Sequence, residues 1–122
     1  MSKQANNPLA DKSYQLALQI VNVYKELTNS KKEFILSKQL LRSGTSIGAN
    51  VTEANGAISN ADFSAKISIA YKESLETKYW LSLFKDSDFL SKIEFDKLHS
   101  NTDELSKILF SILKKTRINK IP

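Results

Sequence analysis

Cysteine is absent from the sequence, and glycine, proline, histidine and tryptophan number three, two, one and one in 122 residues. Without cysteine there are no disulfides and no thiolate metal sites, and a lone histidine leaves only carboxylate-dominated metal sites open. So few glycines and prolines supply too few turns for a many-stranded sheet protein, which points to helices. No apolar run approaches the roughly 18 residues that cross a membrane, and the start, MSKQANNPLAD, has no apolar signal-peptide core. A cytoplasmic protein with no membrane contact is the expectation.

What remains is ordinary for a folded domain: 41% hydrophobic and 25% charged residues, with a net charge of +5. A chain of this length fits a single domain, here residues 1–122, that buries roughly two-thirds of the surface of its unfolded state. The charge is uneven. No acid follows Glu104, whereas Lys107, Lys114, Lys115, Arg117 and Lys120 do. Such an end is an electrostatic footprint for nucleic acid or another polyanion, set against the plainer alternative of a flexible, solvated basic tail.

Hydrophobic periodicity divides the chain into four helices, about 8–28, 33–58, 60–86 and 91–117. In the first, Leu16, Ile20, Val23 and Leu27 form one stripe and Tyr14, Ala17, Val21 and Tyr24 a second. A helix apolar on two sides asks for cover beyond its own bundle, such as a partner subunit. In the second, Leu36, Leu40, Ile47, Val51, Ala54 and Ile58 share a face, and the period runs unbroken through RSGTSIGANVTEANGA, residues 42–57. A phosphate loop there would need a preceding strand and a GxxxxGK[ST] spacing, so the glycines read as a packing device. The third helix, with Asn60 as its expected N-cap and Asp62 in its first turn, follows a 4-3 spacing through Phe63, Ile67, Ala70, Ser74, Thr77, Leu81 and Phe84. The fourth opens on a Ser91/Glu94 capping box and carries Leu98, Leu105, Leu109 and Ile112, with Ile108 and Leu113 beside them. Short connections then give an all-α, up-down-up-down antiparallel four-helix bundle.

Folding the second helix back on the third about Ser59-Asn60 sets Gly44 and Gly48 opposite Tyr71 to Leu75. Ser43, Ser46, Ala70, Ser74 and Thr77 would then allow close approach of the two backbones. The same fold-back places Arg42 near Glu73 and Glu76, and Glu53 near Lys66. Arg42 and Glu53 cannot pair with each other, being about 16 Å apart along their own helix.

For catalysis, Glu53, Glu73 and Glu76 near Arg42 come closest to a carboxylate site. Bundle di-iron sites, however, use a Glu-x-x-His pair from each of two helices, and none occurs here. His99 reads as structural or solvated, and no nucleophile, base and orienting group stand together. No catalytic residue, metal or cofactor is expected, and the protein is not expected to be an enzyme. The candidate nucleic-acid contacts are Lys107, Lys114, Lys115, Arg117 and Lys120, with Lys31 and Lys32 at the first connection. Up-down topology carries the end of the fourth helix to the second connection, so two separate basic areas result. With no aromatic platform visible in the sequence, recognition by shape and charge rather than by base contact is the expectation.

The string Arg42-Ser43-Gly44-Thr45-Ser46-Ile47-Gly48-Ala49-Asn50-Val51-Thr52-Glu53-Ala54 closely resembles the signature of the bacterial four-helix-bundle proteins encoded within intervening sequences of 23S ribosomal RNA genes. Asp62-Phe63, Ile69-Ala70 and the run Glu73 to Leu81, with Glu73 and Glu76 in it, look like that family's second motif. The resemblance implies structural roles for Arg42, Ser43, Gly44, Ser46, Ile47, Gly48, Asn50, Glu53, Ala54, Glu73 and Glu76. It also implies a homo-oligomeric ring, typically a pentamer, and no enzyme activity. The family is similar to the accessory proteins of diversity-generating retroelements, which associate with nucleic acid and a reverse transcriptase. A protein that binds RNA or DNA is therefore expected, with a scaffold for a protein partner as the alternative.

Overall fold

Side chains at the helix ends decide where each helix of this chain begins. The computed structural model describes residues 7–118, which contain α1 (Pro8–Asn29), α2 (Leu36–Asn55), α3 (Asn60–Asp86) and α4 (Lys92–Ile118). α1 starts on Pro8, and Asn7 Oδ1 accepts the Ala10 N–H at 3.1 Å. Proline suits that first position because its missing N–H would have had no partner.

α2 starts three residues later than the periodicity suggests. The carboxylate of Glu33 accepts the backbone N–H groups of Leu36 at 2.9 Å and Ser37 at 2.8 Å, so residue 33 caps the helix rather than joining it. Lys32, in the left-handed region at φ 56, bends the chain so that the Glu33 N–H reaches the Leu27 carbonyl at 2.8 Å. α2 also ends earlier, at Asn55 instead of residue 58, because the Gly56 and Ala57 N–H groups turn back to the Glu53 and Ala54 carbonyls. Ile58 consequently leaves the core face and is 94% exposed.

The cap of α3 is Ser59 rather than Asn60: Ser59 Oγ accepts the Asp62 N–H at 3.0 Å, and Asn60 is the first helical residue. α3 closes on a left-handed residue, Asp88 at φ 66, with the Phe89 N–H on the Phe84 carbonyl at 2.8 Å and the Asp88 N–H on the Lys85 carbonyl at 3.1 Å. The Phe84 and Phe89 rings meet edge-on at 5.9 Å, completing a Schellman closure with its apolar contact. The Ser91/Glu94 box is formed: the Ser91 N–H donates to Glu94 Oε1 at 3.3 Å and the Glu94 N–H to Ser91 Oγ at 3.1 Å.

Each helix packs on two neighbours around a square, α1 and α3 both lying between α2 and α4. The α1–α4 side is the loosest and is bridged by polar pairs, Lys12–Glu104 at 3.1 Å and Asn101–Gln19 at 3.1 Å. Leu16, Ile20, Leu27, Leu40, Ile47, Val51, Ile67, Leu81, Phe84, Leu98, Leu105 and Leu109 fill the centre. At the end of α4, Leu113 goes deeper than Ile112, which only borders the core.

The glycines do not face α3. A Cβ on Gly44 would lie 2.8 Å from Ile20 Cγ1 and one on Gly48 would lie 3.4 Å from the Ser13 carbonyl oxygen, so both turn to α1. The residue that does turn to α3 is Ser43, about 100° away from Gly44 around the helix. Its Oγ lies 3.0 Å from Thr77 Oγ1, and Ser74 Oγ lies 2.7 Å from Ser106 Oγ on α4. These buried hydroxyls form a belt across the middle of the bundle. No buried side-chain polar atom among the described residues lacks a partner.

Candidate nucleic-acid interface

Arg42 points from α2 over the outer edge of α3. Its Nη1 lies 3.1 Å from Glu73 Oε2, and its Nη2 pairs with Glu76 Oε2, which also accepts the Trp80 indole N–H at 2.9 Å. The Trp80 hydrogen bond, with help from Arg42, holds the Glu76 carboxyl below the usual carboxylate range against the opposing effect of burial. The bond to Glu76 likewise raises the Arg42 guanidinium. Glu53 pairs with Lys66 at 2.8 Å. It is therefore held away from Glu73 and Glu76, and the three carboxylates do not form one site.

The rest of the motif serves the helix itself. Ser46 Oγ donates to the Arg42 carbonyl at 2.6 Å and Asn50 Nδ2 to the Ser46 carbonyl at 2.8 Å, while Ile47 and Ala54 are in the core. His99 lies against the Phe95 ring with centroids 4.9 Å apart. Among the described residues no three His, Cys, Asp or Glu side chains gather as metal ligands would.

The basic residues fall in two places. Lys31 donates to the Phe89 carbonyl in the third connection and lies 3.7 Å from Glu26, and Lys32 is exposed beside it. At the opposite end, Thr116 and Ser64 hydroxyls 3.3 Å apart bring the last turns of α4 beside the start of α3. Lys114 and Lys115 are exposed there and have no carboxylate partner among the described residues. Lys120 and the side chain of Arg117 lie outside the described residues. Lys107, exposed one turn along α4 from Asp103, pairs with it at 3.2 Å, and Asp103 also holds Lys78 at 3.0 Å. The bonds from Lys78 and then Lys107 keep the Asp103 carboxyl low.

Between Lys107 and Lys114 lies a residue that the reading of charge alone passes over. Phe110 is 49% exposed, and its ring centroid is 5.6 Å from that of Tyr71 on α3. The signal was the 3-4 spacing of Lys107, Phe110 and Lys114, which puts all three on one face. Other apolar side chains stand on the outer faces of α1, where Tyr14 is 54% exposed, and of α3, where Tyr79 is 60% exposed.

The family described as 23S rRNA-intervening sequence protein matches residues 6–111, and the chain belongs to it. It is also similar to the crystal structure of a protein with unknown function from the S23 ribosomal protein family of Bacteroides thetaiotaomicron VPI-5482. The two are 48% identical, the match covers 87% of this chain and 98% of that one, and the TM-score is 0.86. No curated protein matches. No helix among the described residues is long and apolar enough to cross a membrane.

Proposed function

We propose that this chain is a non-enzymatic, cytoplasmic nucleic-acid-binding protein that acts as a homo-oligomer, with a pentameric ring as the favoured form. The observation that carries the reading is the pair Lys114 and Lys115 near the end of α4, beyond Glu104, the last acid of the sequence, both exposed and without carboxylate partners among the described residues. Cations so placed are available to phosphate. The family's connection to 23S rRNA intervening sequences makes RNA the natural first ligand to test.

Oligomerisation is supported by unlike apolar surfaces on two outer faces, Tyr14 and Leu18 on α1 and Ile69 and Tyr79 on α3. Unlike patches suit head-to-tail contacts, which close into rings when the rotation between subunits divides a full turn. A ring would repeat the basic end and turn a modest affinity into a useful one through multivalency. The test is binding of a labelled ribosomal-RNA hairpin and a matched duplex DNA across a salt series, using the whole protein and one truncated after Leu113. Steep salt dependence that flattens on truncation is expected; no binding at low salt by the folded protein overturns the reading.

The second reading is a scaffold for a protein partner such as a reverse transcriptase, and exposed Tyr79 favours it, since aromatic residues are enriched at interfaces. Tyr79→Ala followed by light scattering separates the uses of this residue. A fall in mass assigns Tyr79 to the contact between subunits, and an unchanged mass leaves its ring free for another protein.

A further inference from the structure

We propose that the α3–α4 surface around Phe110 takes single-stranded nucleic acid, stacking a base on the exposed ring while Lys107 and Lys114 hold the phosphates on either side. The inference rests on the nucleic-acid reading above and names the kind of strand.

Spacings of three and four residues place Lys107, Phe110 and Lys114 on one face of α4, spread over about 10 Å of helix. The Phe110 ring is 49% exposed, yet it is not loose: Tyr71 backs it at 5.6 Å with the rings tilted by 42°. A ring held from one side and open on the other is a platform for a second flat group. Each of the other exposed aromatic side chains has a carboxylate close by in sequence: Tyr14 follows Asp11, Phe34 follows Glu33 and Tyr79 follows Glu76. Phe110 is the one of these four that has a lysine about one turn away on each side along its own helix and no acid within five residues.

The face is positive as a whole. Its single acid, Asp103, is shared by Lys78 at 3.0 Å and Lys107 at 3.2 Å, which leaves one positive charge in excess, and exposed Lys114 adds another. Aromatic platforms among cations suit single strands, whose bases are free to leave their neighbours and stack on a side chain. A duplex keeps its bases stacked on one another and presents only its phosphates and groove edges to such a face.

The test is fluorescence anisotropy of labelled oligo(rU), oligo(dT) and a duplex DNA with the whole protein, its Phe110→Leu and Phe110→Ala variants and a Lys107→Gln/Lys114→Gln double variant. Leucine keeps apolar bulk against Tyr71 and removes only the flat ring, so it reports on stacking even where alanine disturbs the fold. The expected result is that Phe110→Leu weakens single-strand binding about tenfold and leaves duplex binding within about twofold. The lysine variant weakens both and lowers the single-strand salt slope by about 0.7 per lysine. Binding by either single strand supports the proposal, and the tighter of oligo(rU) and oligo(dT) identifies the source. Full single-strand affinity in Phe110→Leu, or equal affinity of the parent for duplex and single strands, overturns the stacking proposal while leaving charge-driven binding intact. A parent that binds no oligonucleotide overturns both.

Discussion

Gly44→Ala should destabilise the protein even though alanine is the better helix former. The exchange alone gains about 1 kcal/mol of helix propensity. Against it, the new Cβ would stand 2.8 Å from Ile20 Cγ1 and 2.9 Å from Ile20 Cγ2. Ile20 is fully buried and β-branched, with one strongly preferred rotamer in a helix, so it cannot swing aside. α1 must therefore move from α2, and overpacking of this kind costs about 1–3 kcal/mol, with two short contacts favouring the upper end. A net loss of about 1–2 kcal/mol follows, or a fall of roughly 5 °C in Tm for a chain of this size. Gly48→Ala, four residues on, meets only ordinary contact, 3.4 Å to the Ser13 carbonyl oxygen, and should be neutral or stabilising by up to about 1 kcal/mol. Urea unfolding followed by circular dichroism and by Trp80 emission, at one fixed protein concentration to hold any association constant, measures both. The decisive control is Ile20→Ala. It is costly in itself, by about 2–5 kcal/mol, but it removes the two closest carbons and leaves only Ile20 Cβ at 3.2 Å, so Gly44→Ala introduced there should lose most of its penalty. A Gly44→Ala protein as stable as the parent, or a penalty undiminished in the Ile20→Ala background, would refute the placement of Gly44 against α1.

Three other perturbations probe the helix ends and the ion pairs. The Glu33 carboxyl is raised by burial but lowered more by the N–H groups of Leu36, Ser37 and Ile35, with a net fall below its ordinary value. Its contribution is therefore complete above the unfolded pKa of about 4.3 and lost as pH drops through the folded value. Glu33→Gln should flatten the acid limb of the stability curve and cost about 1 kcal/mol at pH 7, and an unchanged acid limb would rule this cap out. A double-mutant cycle on Arg42→Ala and Glu76→Ala should give a coupling of only about 0.5–1 kcal/mol, since the Arg42 side chain is 47% exposed, and Trp80 emission should shift when Glu76 is removed. Zero coupling would leave the contact without energetic content. Lys32→Gly should raise the urea midpoint, by the equivalent of about 0.5–1 kcal/mol, because φ 56 strains a lysine and not a glycine. A lower midpoint would show that the turn carries no such strain.

Much of this fold was legible because helices advertise themselves in spacing. The 4-3 seam from Phe63 to Phe84 is buried or nearly so along its length, the Ser91/Glu94 box is formed, and counting back from Ser59-Asn60 put Arg42 beside Glu76 and Glu53 beside Lys66. Helix termini were harder. Glu33 caps α2 with a side chain long enough to act from outside the helix, and a carboxylate at that spacing looks like an ordinary first-turn acid. The direction of the glycines was harder still, since Ser43 and Gly44 differ by about 100° and that rotation decides between α3 and α1. In a bundle each helix has two neighbours, and periodicity finds the core-facing side without telling left from right. The platform at Phe110 was hidden for a related reason: in sequence an aromatic beside Leu109 reads as core, and only the packed structure leaves its ring half open.

The hydroxyl belt has a mechanical consequence. Ser74 donates to the Tyr71 carbonyl at 2.6 Å, Thr77 lies 2.8 Å from the Glu73 carbonyl and Thr102 donates to the Leu98 carbonyl at 2.7 Å, so each finds a partner on its own helix. If α3 slid a little along α2, Thr77 would keep its own-helix partner and Ser43 its long one to the Leu40 carbonyl at 3.4 Å, whereas sliding along α4 would strand the buried Ser106 hydroxyl, which bonds Ser74. The α2–α3 seam thus behaves as a bearing, smooth to small axial displacement, while the Ser74–Ser106 bond ties α3 to α4. The pins that stop the sliding stand at the rim: Arg42 on Glu73 and Glu76, Lys66 on Glu53, and Lys78 on Asp103. High salt, which screens the rim and leaves the belt untouched, should then loosen the alignment of the helices before it loosens their association.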